Sequence, residues 1–153
     1  MIQKPIFKPQ TEWLPPTEFP DLSNHDEIAI DLETKDTNLM KMGSGSITKN
    51  GEVVGIAVAV EGWSGYYPIR HEGGGNMDFR MVLNWITDVL KTPSTKIFHN
   101  AMYDVCWLRS MGLSINGKIV DTMIAAGLCD ENQMRYDLNT CAKKYTGSSK
   151  DEA

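Results

Sequence analysis

Residues 27–33 read EIAIDLE, apolar at alternate positions. An extended strand sends Ile28, Ile30 and Leu32 to one face and Ala29, Asp31 and Glu33 to the other. A second strand is predicted over GEVVGIAVAVE, residues 51–61, whose nearly continuous run of apolar and small residues suits a central or doubly covered position. GYYPIR, residues 65–70, predicts a third. Between the first two strands, residues 34–51 read as loop, closed by the turn dipeptide Asn50-Gly51. The period then changes. Phe79, Val82, Leu83, Ile86, Val89 and Leu90 fall on one face of a helix, for which Asn76 is the expected cap. The glycines at 73–75 lack the GxxxxGK[ST] spacing of a phosphate loop and read as a turn. TKIFHN, residues 95–100, predicts a short buried strand running into the helix AMYDVCWLRSMG, closed by Gly112. A further strand ends at Val120, and Asp121 starts a helix behind it. A last helix starts at Tyr136-Asp137, with Leu138, Cys141, Ala142 and Tyr145 on one face. Strands first and then alternating strands and helices predict an α/β fold, a mixed sheet covered by helices.

Composition narrows this picture. A chain of 153 residues suits one domain burying roughly 68–70% of its unfolded surface. Residues 1–24, with five prolines among the first twenty, are expected to form an extended arm lying over a domain that spans 25–153. Apolar runs fall well short of the roughly 20 residues of a membrane span, and no hydrophobic secretion block opens the chain, so a cytoplasmic protein is expected. Cys106, Cys129 and Cys141 lack CxxC spacing and are expected to be buried free thiols. Trp63, Trp85 and Trp107 read as core anchors, His25 and His71 as surface groups, and Lys143 and Lys144 as a solvated helix face. A net charge of −5 argues against coating nucleic acid through bulk electrostatics. It leaves room for an enzyme that grips one strand end through metal ions.

Asp31 and Glu33 end an apolar strand, the edge at which open α/β sheets bind ligands. Like charges so close require something positive between them. Asn100 and Asp104 are four apart at the start of a helix and share a face. If their strand neighbours the first, three carboxylates and one amide converge at one sheet edge. Hard cations such as Mg²⁺ and Mn²⁺ prefer such oxygen donors, and two ions about 3.5–4 Å apart can bridge a phosphodiester. Other roles remain open on the residues alone. Asp31 and Glu33 can be solvated acids, Asn100 a helix cap and Asp104 a partner of Arg109 or solvent, while Asp121 suits a cap better than a metal ligand.

At these residues the sequence resembles the DEDD, or DnaQ-like, 3'-5' exonucleases, in particular the proofreading domain of family A DNA polymerases of the phage type. IAIDLET resembles the first motif, DxE, and FHNAMYDVCWL the second, NxxxD, while IVDTMIAAGL followed by YDLNTCAKKY resembles the segment leading to the third. The resemblance covers roughly residues 25–147. It implies the ribonuclease H-like three-layer fold, a mixed five-stranded sheet with helices on both faces. It also implies a two-metal site for Mg²⁺ or Mn²⁺. Asp31 would bridge both ions, Glu33 would bind the first ion and the attacking water, and Asp104 would hold the second. Thr34 and Asn100 would contact the terminal nucleotide, with Tyr103 lining the same pocket. The implied substrate is a single-stranded DNA 3' end and the implied partner a polymerase domain in the full-length chain, with no membrane. Two other readings share these residues: an RNA-trimming relative of the ribonuclease D kind, and a nuclease-dead module that binds nucleic acid or a polymerase.

The family's third motif, YxxxD, is absent: the residues four after Tyr66, Tyr67, Tyr103, Tyr136 and Tyr145 are Arg70, His71, Trp107, Thr140 and Ser149. HxxxxD is matched only by His99 and Asp104, and Asp104 already serves the second motif. The expectation is a piece cut before the third motif that on its own hydrolyses DNA weakly or not at all, for want of one metal ligand.

Overall fold

The alternation at residues 27–33 becomes β1 (Glu27–Lys35) in the computed structural model, which describes residues 13–148. Residues 1–12 of the expected arm and 149–153 of the expected domain lie outside the described residues. Ile28, Ile30 and Leu32 are buried, and Asp31 and Glu33 face the other way. β1 pairs antiparallel with β2 (Glu52–Val60), and β2 antiparallel with β3 (Trp63–Pro68). On the other side β1 runs parallel to β4 (Thr95–Phe98), and β4 parallel to β5 (Ile119–Asp121). The result is a mixed five-stranded sheet in the order β3-β2-β1-β4-β5.

Residues 34–51 are not all loop. They hold two single-turn helices, α1 (Leu39–Met42) and α2 (Gly45–Thr48), each only four residues long, too short to leave a period in the sequence. α3 (Phe79–Lys91) and α4 (Ala101–Ser110) cover the core face of the sheet, where Val82, Ile86, Val105 and Leu108 meet Ile28, Ile30 and Phe98. Asp78, not Asn76, caps α3: its carboxylate accepts from the Met81 amide at 2.9 Å. Asn76 is engaged elsewhere, accepting from the His71 amide and donating to the His71 carbonyl. Gly112, at φ 82°, follows the end of α4 as expected.

α5 (Thr122–Cys129) and α6 (Leu138–Thr146) flank the opposite face, with Thr122 and Leu138 bordering a groove over the sheet. Of the face expected on α6, only Cys141 is buried. The cysteines also depart from expectation: all three are free, but Cys129 is exposed and Cys106 half-buried. Residues 13–24 form no helix or strand, yet they are packed: Phe19 stacks on Tyr67 and Trp85 donates to the Pro20 carbonyl. Among the described residues no helix is long and apolar enough to cross a membrane.

Candidate active site

Two features of the sheet make a concave surface beside Asp31. The outward residues of β2 are small, Gly55, Ala57 and Ala59, so the face opposite the core dips there. A groove of about 510 Å³ runs across it, lined by Ala29, Asp31, Ala57, Tyr66 and His99 among others. Asp31 is registered with Ala57 and Glu33 with Gly55, just before a register shift at Glu33/Thr34 that leaves Val54 of β2 without a partner on β1.

Asp104 rises from α4 behind the end of β1 and is only 3% exposed. Burial and, after it, the charge of Asp31 push its carboxyl up to about 7, against the Leu32 amide, which favours the ionised form. Asp121 adds a weaker repulsion. Among the described residues no ion pair joins Asp104 to Arg109. The charge of Asp31 is thus felt at Asp104, while Glu33 is exposed at the strand end and its charge is felt at the Tyr66 hydroxyl. Among the described residues, no group of three or more His, Cys, Asp and Glu is drawn together as a cage for a metal ion. The donor chemistry nonetheless suits a hard cation, since the carboxylates are oxygen donors and the Asp31–Asp104 repulsion is one that a cation relieves.

Asn100 stands at the N-cap position of α4 in a left-handed conformation, φ 68° and ψ 58°, and its side chain makes no capping hydrogen bond. Asp121 does that work. Its carboxylate accepts from the amides of Asn100 (3.0 Å) and Ala101 (2.8 Å), and from Met123 (2.9 Å) at the start of its own helix. Burial alone would raise the Asp121 carboxyl; these amides outweigh it and hold the group below its ordinary value. The cap expected at Asp121 is present, and with it a second duty that single-sequence reading missed: it locks the β4–α4 junction from which Asn100 and Asp104 project.

Thr34 and Tyr103 also meet, at 2.8 Å between hydroxyls, and the Tyr103 hydroxyl donates to Asp36 at 3.0 Å. A phenol has one proton, so the Thr34 hydroxyl donates to Tyr103. Asp36, 67 positions from Tyr103, is a second missed residue; no local pattern announces so distant a contact. A third is the pair formed by Tyr66 and the half-buried His71, whose hydroxyl and Nε2 lie 2.5 Å apart.

A family model described as 3'-5' exonuclease matches residues 16–152. The chain is 32% identical, over 160 aligned residues, to a DNA-directed DNA polymerase of Pseudomonas phage M6, an alignment that takes in 99% of this chain and 24% of that one. It thus spans about a quarter of that polymerase. Among solved structures, NrnC of Brucella melitensis with bound Mg²⁺ is similar at a TM-score of 0.60 and 21% identity, over 87% of this chain and 59% of that one. Escherichia coli RNase D, an exoribonuclease involved in structured RNA processing, is similar at a TM-score of 0.58 and 18% identity, over 86% and 30%. These two likenesses support the ribonuclease H-like fold. With the family model covering nearly its whole length, the chain belongs to the 3'-5' exonuclease domain family of DNA polymerase I-like proteins.

Proposed function

We propose that the chain removes nucleotides from a single-stranded DNA 3' end, proofreading for a polymerase domain in the cytoplasm of a bacterium or phage-infected cell. The observation that carries this reading is the buried Asp104 carboxyl, which burial and then the charge of Asp31 push up to about 7, a repulsion that a bound cation would relieve. Asp31, Glu33 and Asp104 would hold two Mg²⁺ or Mn²⁺ ions, which when bound supply an activated water and a stabilised leaving oxygen. The chain's own residues do the positioning. Asp121 fixes the junction that presents Asn100 and Asp104, and Asp36 fixes the Tyr103 and Thr34 hydroxyls beside the terminal nucleotide.

To test this, the chain replaces the matching segment of the Pseudomonas phage M6 polymerase, and a 5'-labelled single strand is followed. The expected result is a ladder of single-nucleotide steps from the 3' end that requires Mg²⁺ or Mn²⁺ and disappears with Asp31→Ala. The isolated chain degrades the same strand weakly or not at all. Faster loss of a matched RNA strand would favour the ribonuclease D-like reading, to which the fold likeness lends support. A folded hybrid without metal-dependent hydrolysis of either strand, or one indifferent to Asp31→Ala, contradicts the proposal.

A further inference from the structure

Gly55 of β2 lies opposite Glu33, and the ring of Tyr66 from β3 lies over it: a Cβ at Gly55 would stand 1.9 Å from the Tyr66 hydroxyl. Tyr66 is registered with Ala57, which is registered with Asp31. Neighbours across one sheet face have Cβ atoms about 4.5–5.5 Å apart, so a ring crossing Gly55 brings its hydroxyl beside the Glu33 side chain.

The hydroxyl is held from behind. His71 Nε2 lies 2.5 Å from it, and the His71 backbone is clamped on both sides by Asn76, which accepts from its amide at 2.7 Å and donates to its carbonyl at 2.8 Å. Gly74 and Gly75, at φ 84° and 72°, let the chain double back so that Asn76 reaches His71. A carboxylate only accepts hydrogen bonds, and a phenol carries one proton. In the tautomer that carries its proton on Nε2, His71 donates to the hydroxyl and the phenol proton is left for the acid side of the ring.

We propose that Tyr66, oriented by His71 through the Asn76 clamp, is a positioning residue for Glu33, holding its carboxylate in the orientation that the cation site requires. The inference rests on the exonuclease reading. A tyrosine that merely fills space over Gly55 would tolerate loss of its hydroxyl without consequence for Glu33.

The test uses isotopically labelled chain. Mn²⁺ is titrated while the β1 amide resonances are watched for paramagnetic broadening, and three-bond couplings report the Glu33 χ1 rotamer without metal. Tyr66→Phe is expected to keep the amide spectrum and the urea midpoint, to raise the Mn²⁺ concentration for half-broadening about tenfold, and to average the Glu33 rotamer. Asn76→Ala moves both readouts the same way by less. Asp78→Ala, which removes the α3 cap, lowers stability and moves neither. Unchanged broadening and couplings in Tyr66→Phe overturn the inference; should that variant not fold, His71→Gln is read by the same two criteria. Asp31→Ala separates the two levels. Broadening of β1 that survives Asp31→Ala removes the exonuclease reading, whereas broadening lost there but untouched by Tyr66→Phe removes this inference alone.

Discussion

Among the described residues, Lys96 and Asp104 are the charged side chains withdrawn from solvent, at 0% and 3% exposure, one near the start of β4 and the other past its end, in α4. Lys96, near the start of β4, directs its ammonium at the Thr92 carbonyl and hydroxyl, the Ser94 carbonyl and the Asn116 carbonyl. An ammonium has three donors, so four oxygens leave it nothing to seek. Asp104, past the end of β4, has two like-charged neighbours and one amide. One buried charge is answered by the chain and knits the β4 start to the end of α3; the other is answered only in part. The fold therefore has a structural end and a chemical end, and the proposed cation site lies at the second.

The sharpest way to break this comparison is Lys96→Met, which leaves buried carbonyls without a donor. Urea unfolding is expected to register a loss of about 3–5 kcal/mol. A loss below about 1 kcal/mol would mean that the two ends are alike. Next comes Asp104→Asn, which keeps an acceptor for the Leu32 amide and removes the charge. The folded chain holds the Asp104 proton up to about pH 7, while the unfolded chain releases it near 3.8, so the penalty is absent below pH 4, grows from there to 7 and is complete above 7. Wild-type stability should fall across that window without divalent ions. The variant should show less of the fall and be more stable by about 1–3 kcal/mol at pH 8. The smallest effect is expected for Asp121→Ala, about 2 kcal/mol or less from uncapping two helix starts. Its signature is local: amide exchange rises at Asn100 and Ala101 before it rises in α3.

Much of the structural end was legible. The period-two alternation of Ile28, Ile30 and Leu32 and the helical stripe of α3 appear where expected, because burial of one face imposes those periods over enough residues to be counted. Asp121 and Gly112 were legible because helix ends draw on a few residue types. The α3 cap was not. Asn76 and Asp78 are both good caps two positions apart, and the choice fell to the tertiary demand of His71 for Asn76. α1 and α2 are too short for periodicity. At the chemical end, the side-by-side acids of β1 and the shared helix face of Asn100 and Asp104 were readable from spacing. The Asp36–Tyr103 link and the passage of Tyr66 over Gly55 were not, since both depend on strand pairings and chain reversals that no local pattern encodes.

The central claim is that the carboxylates of Asp31 and Asp104 share a divalent cation. The most direct measurement is an anomalous difference map from crystals of the chain grown with Mn²⁺ at neutral pH or above. The account predicts a peak between the two carboxylates, with Glu33 turned toward it. Peaks only elsewhere on the surface, or none at saturating Mn²⁺ with both side chains ordered, would contradict it.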